Sequence, residues 1–223
     1  MANHSADFQD GALANVSLSL PEVSALCLRA ARGVGWSWGM AEECGKAACW
    51  LAQHGFPWAD IILGCLKTST NHDVRPAVGE WNACGVVCGL HAGVMLAEFT
   101  GLPEGVTPKG VTLGTVQDAR LLLPFAARCA AKLDVAIDLT LDRTQWAHVS
   151  ATDVALTNIT GFSGLLHVSQ ALNAPEHKTK PLGNTAPLSR AQKAALDDLA
   201  LCMTVPSTAQ SRARAGGDAP DTD

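Results

Sequence analysis

The spacing of apolar positions predicts helices in the first part of the chain. Ser19 and Glu22 have the S-x-x-E spacing of a capping box and precede apolar residues with helical periodicity, so we predict a helix over residues 20–32. A second periodic segment, residues 40–54, ends at glycine and proline stop signals and completes a helical hairpin with the first. A third apolar segment covers residues 58–66.

Glycine recurs at every fourth position in a helix that we predict over residues 83–99. Gly85, Gly89 and Gly93 would then form a row along one face. Each glycine costs a helix about 0.5–1 kcal/mol relative to alanine, and close approach of a neighbouring element is the usual compensation. The row therefore predicts that another helix or a strand packs unusually close to this helix.

Two cysteines and a histidine in the same segment raise the question of a metal site. On a helix, Cys84, Cys88 and His91 would share one side, but structural zinc needs four ligands and only His72 or Asp73 lies nearby in sequence. We therefore interpret these cysteines as packing residues. Nucleophilic catalysis by Cys84 or Cys88 is also disfavoured, because neither has a basic side chain adjacent in sequence to activate the thiol; activation would need a partner from elsewhere in the chain.

Strand signals appear in the second part of the chain. Residues 111–116 are typical of a strand, and Pro124 is suited to the first turn of a following helix. Between residues 135 and 141 apolar and polar positions alternate, which predicts a strand with one buried face. Further strands are predicted over residues 144–149 and 153–159.

The carboxyl-terminal region combines a linker, a helix and a tail. Residues 171–188 are rich in Pro, Asn and Lys and lack periodicity, so we predict a linker or a long surface loop. Ser189 and Gln192 repeat the capping-box spacing and begin a last helix, which ends before Pro206. The composition of the remaining residues is typical of disorder.

These elements predict an α+β protein with a helical amino-terminal half, a mixed strand and helix second half, and a carboxyl-terminal helix. We expect a disordered extension over residues 1–16, a single domain over residues 17–203 and a flexible tail over residues 204–223. Within the domain, residues 17–100 form the helical part and residues 101–203 the mixed part.

Charge and composition narrow the partners and the compartment. The 16 basic and 21 acidic residues give a net charge of −5 without a basic stripe, so nucleic acid is not an expected partner. Residues 1–16 lack the features of a secretory signal, and the longest apolar run contains His91 and Glu98, so neither export nor a membrane span is expected. We therefore expect a soluble, cytoplasmic protein whose 8 cysteines stay reduced. Those in apolar surroundings are predicted to be small core residues: Cys27, Cys44, Cys49, Cys65, Cys129 and Cys202.

The polar segment of residues 67–82 is the candidate site that the sequence favours. Arg75 is suited to clamp an anion, and His72 to carry a proton while Asp73 orients it. Two further candidate binding residues of the segment are Ser69 and Asn71. The alternative is a solvated connector, because most polar loops are no more than that. Neither substrate nor cofactor is specified by these residues.

Two functional hypotheses follow from these features. The first is a small-molecule metabolic enzyme of undetermined reaction, with its site in the polar segment. The second is a noncatalytic oligomeric or scaffold subunit that assembles with itself or a partner through the glycine-striped helix and the tail. His148 and His167 lie near predicted strands, and we interpret them as satisfied core or surface histidines rather than catalytic bases.

Two stretches of the chain resemble known families. Residues 19–55 are similar to the amino-terminal helical hairpin of the type-2 malate and L-lactate dehydrogenase family, but that family's Ser-His-Gly motif, with its catalytic histidine, is absent. The final residues, MTVPSTAQSRARAGGDAPDTD, and residues 31–45 resemble an uncharacterised bacterial family of unknown function that closes with a V-P-x-[ST]-x2-S-R motif.

The second resemblance changes what is expected of the tail. Ser211 and Arg212 match the motif, which implies a binding role for them, either over a pocket or against another subunit. A free tail is the alternative, because ordering about ten residues costs on the order of 10 kcal/mol of backbone entropy.

Overall fold

The fold is α+β, as predicted. It has two hydrophobic clusters: one lies mainly among the helices, and the other includes the buried face of an antiparallel sheet. The computed structural model describes residues 15–68, 74–157, 159–171 and 183–203. The helices are α1 (Leu20–Gly33), α2 (Trp38–Gln53), α3 (Trp58–Lys67), α4 (Gly89–Glu98), α5 (Leu123–Leu133) and α6 (Arg190–Leu201). The strands are β1 (Asn15–Ser19), β2 (Val74–Arg75), β3 (Asn82–Ala83), β4 (Val111–Val116), β5 (Ile137–Leu141), β6 (Thr144–Val149), β7 (Val154–Leu156), β8 (Gly164–Gln170) and β9 (Thr185–Ser189). A short 3₁₀ helix, Ala119–Leu122, precedes α5.

Capping boxes begin the first and last helices, as predicted. The Ser19 peptide N–H donates to the Glu22 carboxylate at 2.8 Å, and the Ser19 hydroxyl accepts from the Glu22 peptide N–H at 3.4 Å. Ser189 and Gln192 make the same two bonds at the start of α6, at 2.8 and 3.1 Å. Each box satisfies peptide N–H groups that the helix itself leaves unpaired. α1 and α2 form the predicted hairpin, and α6 packs against α1.

The main sheet has five strands in the order β4-β8-β5-β6-β7, and every neighbouring pair is antiparallel. The predicted alternation in β5 is confirmed, because Ile137, Leu139 and Leu141 are buried while Asp138 and Thr140 are half-buried. β8, which lies between β4 and β5, is not predicted by the sequence pattern.

A two-stranded sheet brings together residues near both ends of the described chain. β1 pairs antiparallel with β9 along its whole length. Leu18 of β1 and Leu188 of β9 enter the helical cluster, and this burial offsets the entropy cost of ordering both segments. The predicted linker over residues 171–188 is therefore wrong for the residues in β9, and β1 begins inside the predicted extension over residues 1–16. The predicted tail, residues 204–223, lies outside the described residues.

α5 joins the two hydrophobic clusters. It contacts α2 and α4 among the helices, and β5 and β6 in the sheet. Phe125 of α5 belongs to the helical cluster, whereas the next residue, Ala126, belongs to the cluster that includes the buried face of the sheet. One helix therefore closes both cores and fixes the sheet against the helical hairpin.

α4 begins at Gly89 rather than at residue 83, so the predicted helix is too long at its start. The residues before it follow the edge of β4, where the Val87 N–H donates to the Thr115 carbonyl at 2.8 Å. Gly85 has a φ of 79°, which is incompatible with a right-handed helix, so it does not extend the glycine row. Pairing with the sheet edge therefore replaces the first helical turns.

Gly89 and Gly93 mark a close approach between α4 and the segment that contains α5. A Cβ atom on Gly93 would lie 2.2 Å from Cδ2 of Phe125, and one on Gly89 would lie 2.4 Å from the carbonyl oxygen of Asp118. Both distances are far below van der Waals contact, so neither position has room for a side chain. The prediction of unusually close packing is confirmed for these two glycines and is wrong for Gly85.

The described end of the polar segment is held against the sheet. β2 pairs with β3. The Trp81 peptide N–H donates to the Thr112 carbonyl at 2.8 Å, and its indole N–H donates to the Glu104 carbonyl at 2.7 Å. The Trp81 ring is buried in the sheet cluster. The predicted loop is therefore wrong for the strand residues 74, 75 and 82, and a buried indole anchors this end, whereas residues 76–80 form an exposed or half-buried connection.

The cysteines and the helix lengths bear on the expected environment. All 8 cysteines are free thiols. The prediction of burial is confirmed for Cys27, Cys44, Cys65 and Cys129. Cys49 is half-buried, and the prediction is wrong for Cys202, which is exposed at the end of α6. Within the described ranges, every helix is too short or too polar to cross a membrane.

Candidate functional site

The site predicted in the polar segment is represented by one described residue. Arg75 is exposed in β2, where it lies opposite Asn82 of β3. The other predicted site residues lie outside the described residues: Ser69, Asn71, His72, Asp73, Ser211 and Arg212. Their predicted roles stay predictions.

Cys84, Cys88 and His91 do not share one helical face. Cys84 lies before α4 and is exposed, whereas Cys88 is the N-cap residue of α4 and is buried. Among the residues that the structure describes, no group of three or more His, Cys, Asp or Glu side chains is arranged to hold a metal ion. Cys88 has no basic side chain adjacent in sequence, but His91, three residues further along, hydrogen-bonds to it and lowers its pKa. One helical turn places the imidazole beside the N-cap thiol.

The side of the main sheet opposite its buried face carries a band of polar side chains, which we call the polar face. Residues directly opposed on neighbouring antiparallel strands point to the same side of a sheet, so the strand register identifies its members. The polar face comprises Thr112 of β4, His167 and Ser169 of β8, Asp138 and Thr140 of β5, and His148 of β6.

Asp138 and His148 form an imidazole–carboxylate pair on the polar face. Asp138 Oδ1 lies 2.7 Å from His148 Nδ1. Because an ionised carboxylate only accepts hydrogen bonds, Nδ1 carries the proton, and the neutral ring then has its lone pair on Nε2. His148 is 7% exposed. Its Nε2 atom is buried and has no hydrogen-bond partner among the described residues.

A tight turn and a bulge place these two residues opposite each other. Asp142 and Arg143 connect β5 to β6 and have positive φ angles of 46° and 70°, as a two-residue type I′ turn requires. Regular pairing from this turn would place Asp138 opposite Ala147. A bulge shifts the register by one residue, and Asp138 faces His148 instead. Strand alternation alone does not reveal this shift, which is why sequence reasoning missed the pair.

Ser169 does not complete a nucleophilic triad with the pair. It lies opposite Asp138 on β8, on the side away from His148. Two strand spacings separate Ser169 from His148, roughly 10 Å between their backbones. In a Ser-His-Asp triad the histidine lies between the other two residues, whereas here the aspartate does. The arrangement therefore favours proton transfer to or from a bound molecule over acylation of Ser169.

Two other histidines show what is special about His148. His54 also has a buried Nε2 without a partner among the described residues, but its Nδ1 donates to the Trp50 carbonyl at 2.8 Å and its ring stacks on the Trp50 indole. His167 has its Nδ1 3.1 Å from the Thr112 hydroxyl. Of these three imidazoles, that of His148 is the one hydrogen-bonded to a carboxylate, which can stabilise a positive charge on the ring.

A family model matches the helical hairpin. Residues 18–79 match the model of a family described as a protein of unknown function (DUF3726). The match confirms the prediction of an uncharacterised family of unknown function, and it contains residues 31–45, on which that resemblance partly rests. Asp138 and His148 lie outside the matched segment. No curated protein and no solved structure matches the chain, so the function is argued from geometry.

Proposed function

We propose that this protein is an enzyme that performs acid–base chemistry on a small molecule bound at the polar face, with His148 as the general base. The observation that carries the proposal is the buried His148 ring, held at Nδ1 by Asp138 at 2.7 Å while Nε2 has no partner among the described residues. A buried polar atom without a partner is costly, and a bound ligand would satisfy it.

His148 would act through its Nε2 lone pair. It would accept a proton from a hydroxyl group, a water molecule or an acidic C–H of the ligand, and the Asp138 carboxylate would stabilise the resulting imidazolium. General base catalysis of this kind typically contributes about 10²–10⁴-fold in rate. The hydroxyl groups of Thr112, Thr140 and Ser169 lie on the same face and supply hydrogen-bonding groups for a polar ligand.

His148 lies one strand away from an edge of the sheet. Ala155 of β7 lies directly opposite His148 and is half-buried. Among the described residues β7 is the last strand of the sheet, and Ala155 has a small methyl side chain. Because the His148 ring is 7% exposed, the ligand that we propose is a small molecule rather than a macromolecule.

Charge and thiols support a proposal for the compartment and partners. We propose that the protein acts in the cytoplasm of a bacterial cell; its 8 free thiols support this, since cytosolic conditions keep thiols reduced. Its net charge of −5 supports a small-molecule ligand rather than nucleic acid.

The set His72, Asp73 and Arg75 stays a separate prediction. Arg75 lies on the β4 side of the sheet, and β4 is three strand spacings, roughly 14 Å, from β6.

The alternative of a self-assembling scaffold has less support. It relies on the glycine-striped helix as a contact surface. However, Asp118 and Phe125 of the same chain already pack against this helix at Gly89 and Gly93. Assembly through the tail stays a prediction.

A ligand screen on matched variants tests the proposal. The full chain is screened by thermal shift against a library of small metabolites. A ligand at about 100 times its Kd stabilises by about 2.7 kcal/mol, which raises the Tm of a chain of this size by roughly 5–10 °C. We expect such a rise for wild type, its loss in His148→Gln, and its retention in His54→Gln, which alters another buried histidine with an unpaired Nε2. Turnover of the stabilising compound should fall about 10²–10⁴-fold in His148→Gln.

Two results would count against this function. One is a set of stabilising compounds whose Tm shifts are the same in His148→Gln as in wild type. The other is turnover of such a compound that does not change when His148 is replaced.

A further inference from the structure

We propose that Cys65 and Cys88 form a site of reversible oxidation, at which a small hydroperoxide converts the two thiols into a disulfide. Cys65 lies in α3 and Cys88 is the N-cap residue of α4, and their sulfur atoms are 3.6 Å apart. A disulfide bond is about 2.05 Å long, so the sulfurs need to approach by roughly 1.5 Å, a movement within the range of side-chain rotation. This inference does not depend on the acid–base function.

The surroundings give the two thiols different roles. The Cys65 and Cys88 sulfurs share a hydrogen bond in which either thiol can be the donor. With Cys65 as the donor, this bond lowers the pKa of Cys88; burial opposes this effect, and hydrogen bonds from His91 add to it. The same hydrogen bond, together with burial, raises the pKa of Cys65. Cys44 and Asp118 also lie near the pair and disfavour ionisation of Cys65. Cys88 is the N-cap residue of α4 and has His91 beside it, so we assign it as the nucleophile and Cys65 as the thiol that resolves the first oxidation product.

The other buried thiols lack this environment. Burial raises the pKa of Cys27 and of Cys129. Cys129 is as buried as Cys88, at 0% exposure, but its sulfur accepts a hydrogen bond from the Thr100 hydroxyl at 3.0 Å. It therefore provides an internal control in which burial is matched and the activating imidazole is absent.

The chemistry balances with a hydroperoxide as the oxidant. The Cys88 thiolate attacks one peroxide oxygen, the S–O bond forms as the O–O bond breaks, and the leaving oxygen takes a proton to become water or an alcohol. The Cys65 sulfur then attacks the sulfur of the Cys88 sulfenic acid. The S–S bond forms as the S–O bond breaks, and the departing hydroxide takes the Cys65 proton and leaves as water. Two thiols lose two electrons to the peroxide, and an external thiol reverses the reaction.

Burial limits the oxidant to a small molecule. Cys65 is 3% exposed and Cys88 is 0% exposed, so a protein disulfide cannot reach their sulfur atoms, and a small hydroperoxide is the class of oxidant that we propose. The disulfide would close the segment from residue 65 to residue 88 into a loop and tie α3 to the start of α4.

Peroxide treatment followed by peptide mass spectrometry tests the proposal. The reduced full chain, with the exposed thiols removed as Cys84→Ser and Cys202→Ser, is treated with hydrogen peroxide and its remaining thiols are alkylated. We expect a Cys65–Cys88 disulfide, reversed by dithiothreitol, that forms at least about tenfold faster than the Cys129 thiol is lost. In an added Cys65→Ser variant, the reagent dimedone should label Cys88 as a sulfenic acid.

If peroxide consumes the Cys65 and Cys88 thiols no faster than the Cys129 thiol, the proposal is overturned. This comparison uses the protein with both cysteines of the pair intact. The assigned roles would be overturned if dimedone labels Cys65 in the Cys88→Ser variant as fast as it labels Cys88 in the Cys65→Ser variant. Circular dichroism of each variant establishes that the labelled protein is folded.

Discussion

Replacing Gly93 with alanine tests the close packing of α4 against α5. In an unconstrained helix the added methyl group would stabilise the chain by about 1 kcal/mol, because alanine is the better helix former. Here the new Cβ would lie 2.2 Å from Cδ2 and 2.8 Å from Cγ of Phe125. Phe125 is 1% exposed and belongs to the helical cluster, so moving its ring would displace neighbouring core side chains.

The overlap sets the magnitude of the effect. Carbon atoms pack at about 3.5–4.0 Å, so the methyl group penetrates the ring by more than about 1 Å. Overpacking of this kind typically costs about 1–3 kcal/mol, and the depth of overlap places Gly93 at the upper end. Subtracting the gain in helix propensity leaves a net loss of about 2 kcal/mol, or roughly 4–8 °C in Tm.

Urea unfolding followed by circular dichroism measures this loss, and Gly64→Ala is the matched control. Gly64 is also within an α-helix, but it is exposed, and a Cβ there would meet no atom of the described residues outside its own helix within 4 Å. We expect this control to be more stable than wild type by about 0.5–1 kcal/mol. If Gly93→Ala is as stable as Gly64→Ala, glycine at position 93 is not required by packing and the reasoning is refuted.

Two further predictions concern charged groups. Asp138→Asn should lower the free energy of unfolding at pH 7 by about 1–3 kcal/mol in a urea titration, because it removes the charged acceptor of a buried His148 N–H; an unchanged value would show that the hydrogen bond is not formed. Burial raises the pKa of Glu43, but ion pairs with Lys46 and Arg128 outweigh it, so the pKa lies below its ordinary value of 4.5. A carboxylate with a lowered pKa stabilises the fold above its unfolded pKa and loses this contribution as the pH falls through its folded pKa. Glu43→Gln should therefore destabilise by about 0.5–1 kcal/mol at pH 7, and the difference from wild type should shrink as the pH falls through the lowered pKa of Glu43; a difference that does not shrink on acidification would contradict this cause.

Local sequence signals predicted the helices and several strands for identifiable reasons. The two capping boxes are encoded within four residues each, and the alternation from Ile137 to Leu141 depends only on which side of one strand is buried. Long-range pairing is different. β8 takes its place through contacts with β4 and β5, and β1 forms only because β9 returns from the far end of the chain. The true start of α4 likewise depends on the edge of β4, which is distant in sequence.

The candidate site shows the same limit. His148 has no neighbour in sequence that suggests a role, and regular hairpin pairing would place Asp138 against Ala147. The bulge that brings Asp138 and His148 together shifts the register of β5 and β6 by one residue. The alternation of apolar and polar residues in β6 does not predict this bulge. Cys65 and Cys88 are 23 positions apart on different helices, so their 3.6 Å contact was equally hidden.

Nitrogen NMR of histidine-labelled protein tests the central claim most directly, since it reports which imidazole nitrogen carries the proton. We predict that the His148 ring has its proton on Nδ1, toward Asp138, and an unprotonated Nε2. Asp138→Asn, which can offer an amide N–H to Nδ1, should shift the proton to Nε2. A wild-type His148 protonated on Nε2 would contradict the account, because Nε2 would then have no lone pair with which to accept a proton from a ligand.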